Sequence, residues 1–262
     1  MRMELQALIF DVDGTLADTE RDGHRVAFNA AFAEAGLDWH WSVELYGQLL
    51  AITGGKERIR HFIETCQPPL PAEEDLTALI ARLHQAKTRH YTALLAQGGI
   101  PLRPGVKRLL QEARAAGIRL AIATTTTPEN VTALLEQTLP ESLGWFEVIA
   151  AGDVVPAKKP APDIYFYTLE RMGLDPQECL AFEDSENGLR SAQQAGVPTV
   201  VTVNDYTRDQ DFSGAALVLD HLGDPENPFR VLAGTVGSHR YFTLELARQI
   251  HAQVARSGVG SS

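Results

Sequence analysis

Cysteine is almost missing from this chain of 262 residues. Cys66 and Cys179 lie far apart and without metal-ligand spacing, so neither a disulfide framework nor a zinc site is indicated. Both read as reduced thiols, Cys66 in a helix and Cys179 in a strand. Basic residues are in deficit, 23 Lys and Arg against 34 Asp and Glu, for a formal net charge of -11. That argues against nucleic acid as a partner, because such binding needs a basic face to neutralise phosphates. A small anion is still admitted where basic residues gather locally. No apolar run approaches the roughly 20 residues of a spanning helix, so no membrane partner is expected. A first strand begins within a few residues of Met1, leaving no room for a targeting peptide, and a cytoplasmic protein is the expectation. Repeats and low-complexity blocks are lacking, and no obligatory protein partner is evident. What is there is apolar content, 44% of residues, enough to bury a core in one large or two modest domains.

Two textures follow one another along the chain. Leu5 to Phe10 (LQALIF) is short, apolar and closed by Asp11, which suits a buried strand with polar chemistry at its carboxyl end. From about Glu20 to Gln97 apolar residues recur at three- and four-residue spacing, as in Leu76, Leu79, Ile80 and Leu83, which predicts helices and no strand. Beyond the turn residues Gly98, Pro101, Pro104 and Gly105, strands and helices alternate. Strands are expected at 119–123, 146–150, 179–182, 199–203 and a last one near 216–219, with helices near 106–116, 129–137, 163–172 and 187–195. That alternation predicts right-handed βαβ units and a doubly wound parallel α/β sheet. The helical block is inserted after the first strand, over the place where ligands bind in such sheets, and reads as a cap hinged at Thr19–Asp22 and Gly98–Leu102. The alternative is helices that only pad the core. The expected division is a core of 1–19 and 98–223, a helical cap of 20–97 and an extension of 224–262. An amphipathic stretch with Phe242, Leu244, Leu246 and Ile250 docks that extension on the core, and SGVGSS at 257–262 reads as a frayed end.

Four short segments carry the chemistry, each at a strand end. In Asp11-Val12-Asp13-Gly14-Thr15 two carboxylates spaced by one residue at a buried strand terminus repel and resist desolvation unless they share a cation. A hard divalent ion with oxygen ligands, magnesium first, answers that need. Asp11 is then a candidate nucleophile toward phosphorus and Asp13 a proton donor to the leaving oxygen. By itself the pentapeptide reads more simply as an acidic turn or helix cap. Thr124 to Thr127 follow the apolar strand LAIA and precede a helix opened by Pro128 and Glu129, so Thr124 and Thr125 offer hydroxyls and backbone N–H groups to an anion. Strings of threonine there are also common caps. In Lys158-Lys159-Pro160-Ala161-Pro162-Asp163, a proline turn presents Lys159 to balance the charge of Asp11 and a transferring phosphoryl group. In Glu183-Asp184-Ser185, followed by Asn187-Gly188, Asp184 can complete a metal site and Glu183 support it. Singly, the last two segments read as a solvated loop and a helix cap. All four on successive strand ends of one sheet are hard to obtain by accident.

In that order, DVDGT, the threonine after LAIA, the KKPAPD lysine and FEDSENG resemble the four motifs of the haloacid dehalogenase superfamily. The resemblance covers sheet and helical insertion to about Gly223, and implies a Rossmann-like core with a C1-type helical cap. It implies an aspartyl-phosphate intermediate on Asp11, Asp13 as general acid and then base, and Thr124 and Lys159 binding the phosphoryl group. Mg2+ would be held by Asp11, Asp184 and the main-chain carbonyl of Asp13, with Glu183 in support. Aspartate at 11 with a second at 13 is similar to the phosphotransferase branch rather than the dehalogenase branch.

A narrower resemblance, carried by LADTERDGHRVAFNAAFAEAGLDWHW, ITGGKERI, KTRHY, LRPGV, IATTTTPENV and HLGD, is to the CbbY phosphatases of the Calvin cycle. It implies xylulose 1,5-bisphosphate as substrate and adds His24 to the substrate-binding candidates. The spacing from Glu20 to His24 is one residue longer than that group's pattern. A sugar bisphosphate needs a second cation for its distal phosphate, ideally on the cap, where its binding energy closes the lid. Lys56, behind Gly54 and Gly55, leads, with Arg60 a helical turn further on, and Glu20 and Tyr46 face sugar hydroxyls. The alternative is that Lys56, Arg58 and Arg60 form a solvated helix face. Two other activities stay open: a phosphomutase similar to β-phosphoglucomutase, and a non-enzymatic receiver-like phosphate switch, which would not be expected to carry the insertion.

Overall fold

The structure, a computed structural model, describes residues 4–71 and 75–257. Its centre is β1 (Ala7–Phe10), in which all four residues are buried. Strand β1 lies between β2 (Arg119–Ala123) and β4 (Cys179–Glu183), parallel to both, with Phe10 opposite Ile122 on one side and Phe182 on the other. Strand β3 (Phe146–Ala150) extends the sheet beyond β2, and β5 (Thr199–Thr202) and β6 (Leu217–Leu219) extend it beyond β4. The chain thus winds outward from β1 in one direction and then in the other. That reversal opens a crevice at the carboxyl ends of β1 and its neighbours.

Burial on both faces explains why the central strands β1 and β4 and most of β2 are apolar, whereas β3, nearer the edge, exposes Glu147 and Ile149. One face carries the large side chains Leu8, Phe10, Leu120, Ile122, Leu180 and Phe182 under α5 (Val106–Ala115), α6 (Pro128–Thr138) and α9 (Leu244–Ser257). The other carries small residues, Ala7, Ala121, Ala123 and Ala181, which let α7 (Asp163–Met172) and α8 (Glu186–Gln194) approach closely. Phe10 stacks on Phe182 with ring centroids 4.6 Å apart, and Phe242 meets Phe182 edge-on. The extension therefore docks as expected, with Phe242, Leu244, Leu246 and Ile250 all buried. Of the residues expected to fray, only Ser257 is described, at the end of α9; the others lie outside the described residues.

One strand escaped the sequence reading. Strand β7 (Val231–Ala233) closes the sheet antiparallel to β6, so the strand near 216–219 is not the last. Its three residues are all exposed, so no burial pattern marked it. The cysteines fall as expected, Cys66 ending a helix and Cys179 opening β4, both free. Among the described residues no helix is long and apolar enough to cross a membrane.

Between β1 and α5 stand α1 (Arg25–Glu34), α2 (Val43–Leu49), α3 (Gly55–Cys66) and α4 (Leu76–Ala96). They enclose their own aromatic cluster, with Trp41 packed on Phe28, Phe32 and Phe62. Ala27, Tyr91 and Leu95 instead join the cluster of the sheet, so the block is seated on the sheet rather than detached from it. The outgoing and returning linkers are bonded to each other, Ala17 bridging Leu102 and the Arg103 amide donating to the Leu16 carbonyl at 2.8 Å.

Below the linkers, LRPGV meets HLGD. The Gly105 amide donates to Asp224 Oδ2 at 3.0 Å, and Arg108 Nε to Asp224 Oδ1 at 3.2 Å. Gly105 has φ +84°, and a Cβ there would lie 2.4 Å from the Gly223 carbonyl oxygen. Substituting Gly105→Ala is therefore expected to destabilise the fold by about 1–3 kcal/mol, read as a lowered midpoint in urea unfolding.

Candidate active site

Register decides what meets at the crevice. Because Phe10 is level with Ile122 and Phe182, the next residues of the three strands emerge side by side. Asp11 leaves β1, Glu183 and Asp184 close β4, and Thr124 follows β2. Lys159, from the loop between β3 and α7, inserts its buried ammonium among them. Its Nζ donates to Asp11 Oδ1 at 2.8 Å, Glu183 Oε1 at 2.7 Å and the Ala123 carbonyl at 2.9 Å. The Tyr165 hydroxyl also donates to Glu183 Oε1, while Glu183 Oε2 is buried without a partner among the described residues. Asp184 Oδ2 accepts from Asn204 Nδ2 at 2.7 Å.

This leaves three buried carboxylates and one ammonium. Asp11, Glu183 and Asp184 offer oxygens that all lie within 4.8 Å of one another. Burial opposes charge on Lys159, yet Asp11 and Glu183 outweigh it and hold the ammonium protonated, its pKa raised. The carboxylates share that single charge and stay under-neutralised. Burial raises the pKa of Asp11 beyond what Lys159 offsets. Burial likewise lifts Glu183 to about 7, and burial with the charges of Asp11 and Glu183 lifts Asp184 well above the usual carboxylate range. A cluster of oxygen donors that holds excess protons and an orphaned carboxylate oxygen fits a hard divalent cation, which would displace those protons on binding.

Asp13 is not in that cluster. Its Oδ1 accepts from Thr19 Oγ1 at 2.5 Å and pairs with His24 Nε2 at 2.7 Å. Although burial opposes it, His24 and Thr19 hold the Asp13 carboxyl well below its usual range. Of the expected metal residues, Asp13 thus has only its main chain to offer. His24 reaches Asp13 in spite of the extra residue in its spacing, because Glu20–His24 form a π-helical turn in which the Arg25 amide donates back to the Glu20 carbonyl. A five-residue bond takes up the insertion. His24 holds Asp13 in this geometry and also lines the smaller cavity beside Arg58 and Lys87.

The helical block closes over the crevice. A cavity of about 80 Å3 is lined by Asp11, Thr124, Thr125 and Lys159 from the sheet side and by Glu20 and Arg58 from the block. Behind it a smaller one, about 40 Å3, is lined by Arg58, His84, Lys87 and Asn130. The threonine run does two things: Thr124 and Thr125 face the cavity, while Thr127 caps α6 by accepting from the Asn130 amide. The Tyr46 hydroxyl, expected to meet a sugar, is fully buried and already engaged, donating to Glu20 Oε2 at 2.5 Å and accepting from Arg58 Nη1 at 3.0 Å.

Helical geometry corrects the reading of the block's basic residues. Positions 56, 58 and 60 advance about 200° per pair around a helix and cannot share one face. Arg58 points inward with Ile59, Phe62 and Ile63. Arg60 is exposed and lines none of the cavities described. Lys56 lines a neighbouring, wider cavity of about 400 Å3, where its Nζ meets Asp153 Oδ2 at 2.5 Å. Gly54 and Gly55 line that cavity too, and Gly55 is small because of His84, 2.6 Å from where its Cβ would be. Arg58 and Lys87 were the residues missed. Their signal was a cation on an apolar stripe: Arg58 four residues before Phe62, and Lys87 midway between Leu83 and Tyr91.

Comparison with known proteins agrees with the fold. The family model described as haloacid dehalogenase-like hydrolase matches residues 5–196. The chain is 51% identical to the plasmid-encoded protein CbbY of Cupriavidus necator, over 94% of this chain and 97% of that one. It is 54% identical to protein CbbY of Rhodobacter capsulatus, over 81% and 92%. A crystal structure of a CbbY variant from Rhodobacter sphaeroides in complex with xylulose 1,5-bisphosphate superposes with a TM-score of 0.78 at 47% identity, covering 83% of this chain and 94% of that one.

The raised pKa values of the cluster would make cation binding there pH-dependent. Since Glu183 and Asp184 are raised acids, the cation competes with protons below their pKa values and not above them. Mg2+ titrated calorimetrically into the protein is expected to bind more tightly at pH 8 than at pH 6, with proton release at the lower pH.

Proposed function

We propose that this chain, a phosphatase that belongs to the haloacid dehalogenase-like hydrolase family, uses Mg2+ to hydrolyse a sugar bisphosphate, xylulose 1,5-bisphosphate to xylulose 5-phosphate before others. The observation that carries this reading is a pair of buried cations on the helical block, Arg58 on the cavity that Asp11 lines and Lys87 on the smaller one beside it. Arg58 and Lys87 are both buried and neither is in an ion pair with a carboxylate among the described residues. Burial lowers the Lys87 pKa to about 8, beyond what the nearby Asp13 and Glu20 carboxylates offset. The Glu20 and Asp13 carboxylates favour the charge on both cations without forming an ion pair to either, and a second phosphate group is a counter-charge that could bond to them directly. The helices of residues 20–97 act as the cap over the sheet of 1–19 and 98–223, with 224–262 as an extension. The space of about 80 Å3 beside Asp11 is below the 300 Å3 or more usual for ligand sites, so movement of the cap would make room for the substrate.

In the reaction Asp11 attacks phosphorus, the ester O–P bond breaks, and the leaving oxygen takes a proton from Asp13. Asp13 acquires that proton as the phosphate dianion enters beside it, because a like charge raises a carboxyl pKa. Water then attacks the aspartyl phosphate, giving its proton to the Asp13 carboxylate, the form that His24 and Thr19 favour. Lys159 and Thr124 hold the phosphoryl oxygens, and Glu183 keeps Lys159 in place. Mg2+, held by Asp11, Asp184 and the Asp13 carbonyl, would neutralise the developing charge. Glu20, steadied by Tyr46, turns its free oxygen to a sugar hydroxyl.

Replacing Asp11→Asn is expected to lower inorganic phosphate release from xylulose 1,5-bisphosphate by about 10^4-fold or more; release within tenfold of the parent would remove Asp11 as nucleophile. The distal-phosphate assignment separates two basic residues. Arg58→Ala is expected to reduce kcat/KM for the bisphosphate by about 10–100-fold and for xylulose 5-phosphate only a few-fold, the value of a charged hydrogen bond. Lys56→Ala, already held by Asp153, should change both only a few-fold. The opposite ranking would put the distal phosphate in the wider cavity beside Lys56.

A further inference from the structure

LRPGV has had no part in the chemistry so far, and its arginine is buried at 8% exposure. Arg103 Nη1 donates to the carbonyls of Gly14 and Thr202, the latter at 2.9 Å, and lies 3.2 Å from Thr202 Oγ1. Nη2 donates to the carbonyls of Val203 at 2.6 Å and Asp220 at 2.7 Å, and Nε faces Asp18 Oδ1 at 3.2 Å. One planar guanidinium thus gathers four backbone carbonyls from three segments: the turn after Asp13, the end of β5 and the end of β6.

Two of those segments form the walls around Asp184. Gly14 presses so closely that a Cβ would lie 2.1 Å from Asp184 Oδ2 and 2.7 Å from Asn204 Nδ2. Val203 immediately precedes Asn204, whose amide donates to the same Asp184 oxygen. Carbonyl oxygens turned toward one point repel one another, and only a multi-donor cation in a fixed fork satisfies all four at once. We propose that Arg103 is a positioning residue of the metal site: by clamping the Gly14 and Val203 carbonyls it holds Gly14 and Asn204 on either side of the Asp184 carboxylate and fixes that ligand's orientation. Its own amide, bonded to Leu16, ties the same anchor to both cap linkers. This rests on the reading of Asp11 and Asp184 as Mg2+ ligands.

The test is Mg2+ affinity of the substrate-free protein by isothermal titration calorimetry, with kcat at saturating Mg2+ measured alongside. Arg103→Lys keeps the charge but not the fork, and is expected to weaken Mg2+ binding about tenfold or more, the usual effect of losing a residue that orients a ligand. Its kcat at saturating Mg2+ should stay within a few-fold. Asp18→Asn removes only the exposed partner of Nε and should leave the Mg2+ dissociation constant within twofold. A purely structural arginine would lower the unfolding midpoint and leave Mg2+ affinity unchanged, which overturns the proposal; so does an equal loss in Asp18→Asn. Should Arg103→Lys not fold, Asn204→Ala reads the same wall, with about fivefold weaker Mg2+ binding expected and an unchanged constant overturning the clamp. A parent protein that binds no Mg2+ overturns the metal reading and the clamp with it. A parent that binds while Arg103→Lys binds equally well overturns the clamp alone.

Discussion

A single ammonium set among three buried carboxylates is the constraint around which the rest of the molecule is arranged. Lys159 reaches Asp11 and Glu183 at once, and its third donor goes to the Ala123 carbonyl at the end of β2. Three strand ends are thereby tied to one charge. The arrangement leaves negative charge in excess, which is the wrong balance for a stable core and the right one for receiving a dication and a phosphoryl group. Small residues make room for it. At Gly188 a Cβ would lie 1.9 Å from Glu183 Oε2, and at Gly14 the same holds against Asp184. Each carboxylate stands where a side chain would otherwise have been.

Around that charge the two linkers behave as a joint with fixed bearings. The outgoing one carries Thr19 and His24 to Asp13 through the π-helical turn, and the returning one carries Arg103 under Gly14. Core loops meet the block beyond the joint as well: Asn187 Nδ2, at the start of α8, donates to the Ala51 carbonyl at 3.0 Å, and the Tyr206 ring lies against Gly47. Position of the block and geometry of the site are therefore linked through hydrogen bonds to the backbone, which lose their strength over a few tenths of an ångström.

The charge pattern of the block follows from the same economy of partners. Lys56 and Lys158 share Asp153 at the surface, where burial is slight and the bond exchanges readily with water. Arg58 and Lys87 sit inside with a phenol and aromatic faces for company. Glu20 and Asp13 favour their charge without an ion pair to either, and this contrast, rather than the number of basic residues, singles out the cavity face of the block.

Most residues that meet at the crevice were legible in the sequence: an apolar strand is visible as a run, the residue after it is fixed by the covalent order, and Asp11, Thr124 and Asp184 each sit at such an end, while Lys159 is set in a proline-bounded loop before α7. The helical insertion and the docking of Phe242 and Leu246 were legible for the same reason, since periodicity is a local property of the chain. What only the tertiary structure decided was direction. Whether Lys56 or Arg58 faces the cavity depends on the rotation of α3 against α4, whether His24 reaches Asp13 depends on a π-helical turn no spacing rule announces, and β7 formed because β6 offered an edge. Arg103 stood in plain view beside Pro104, but four carbonyls from three distant segments converge on it only when the sheet is assembled. Local patterns fix which residues end strands and line helices; the facing of one element on another is set by packing between segments far apart in sequence.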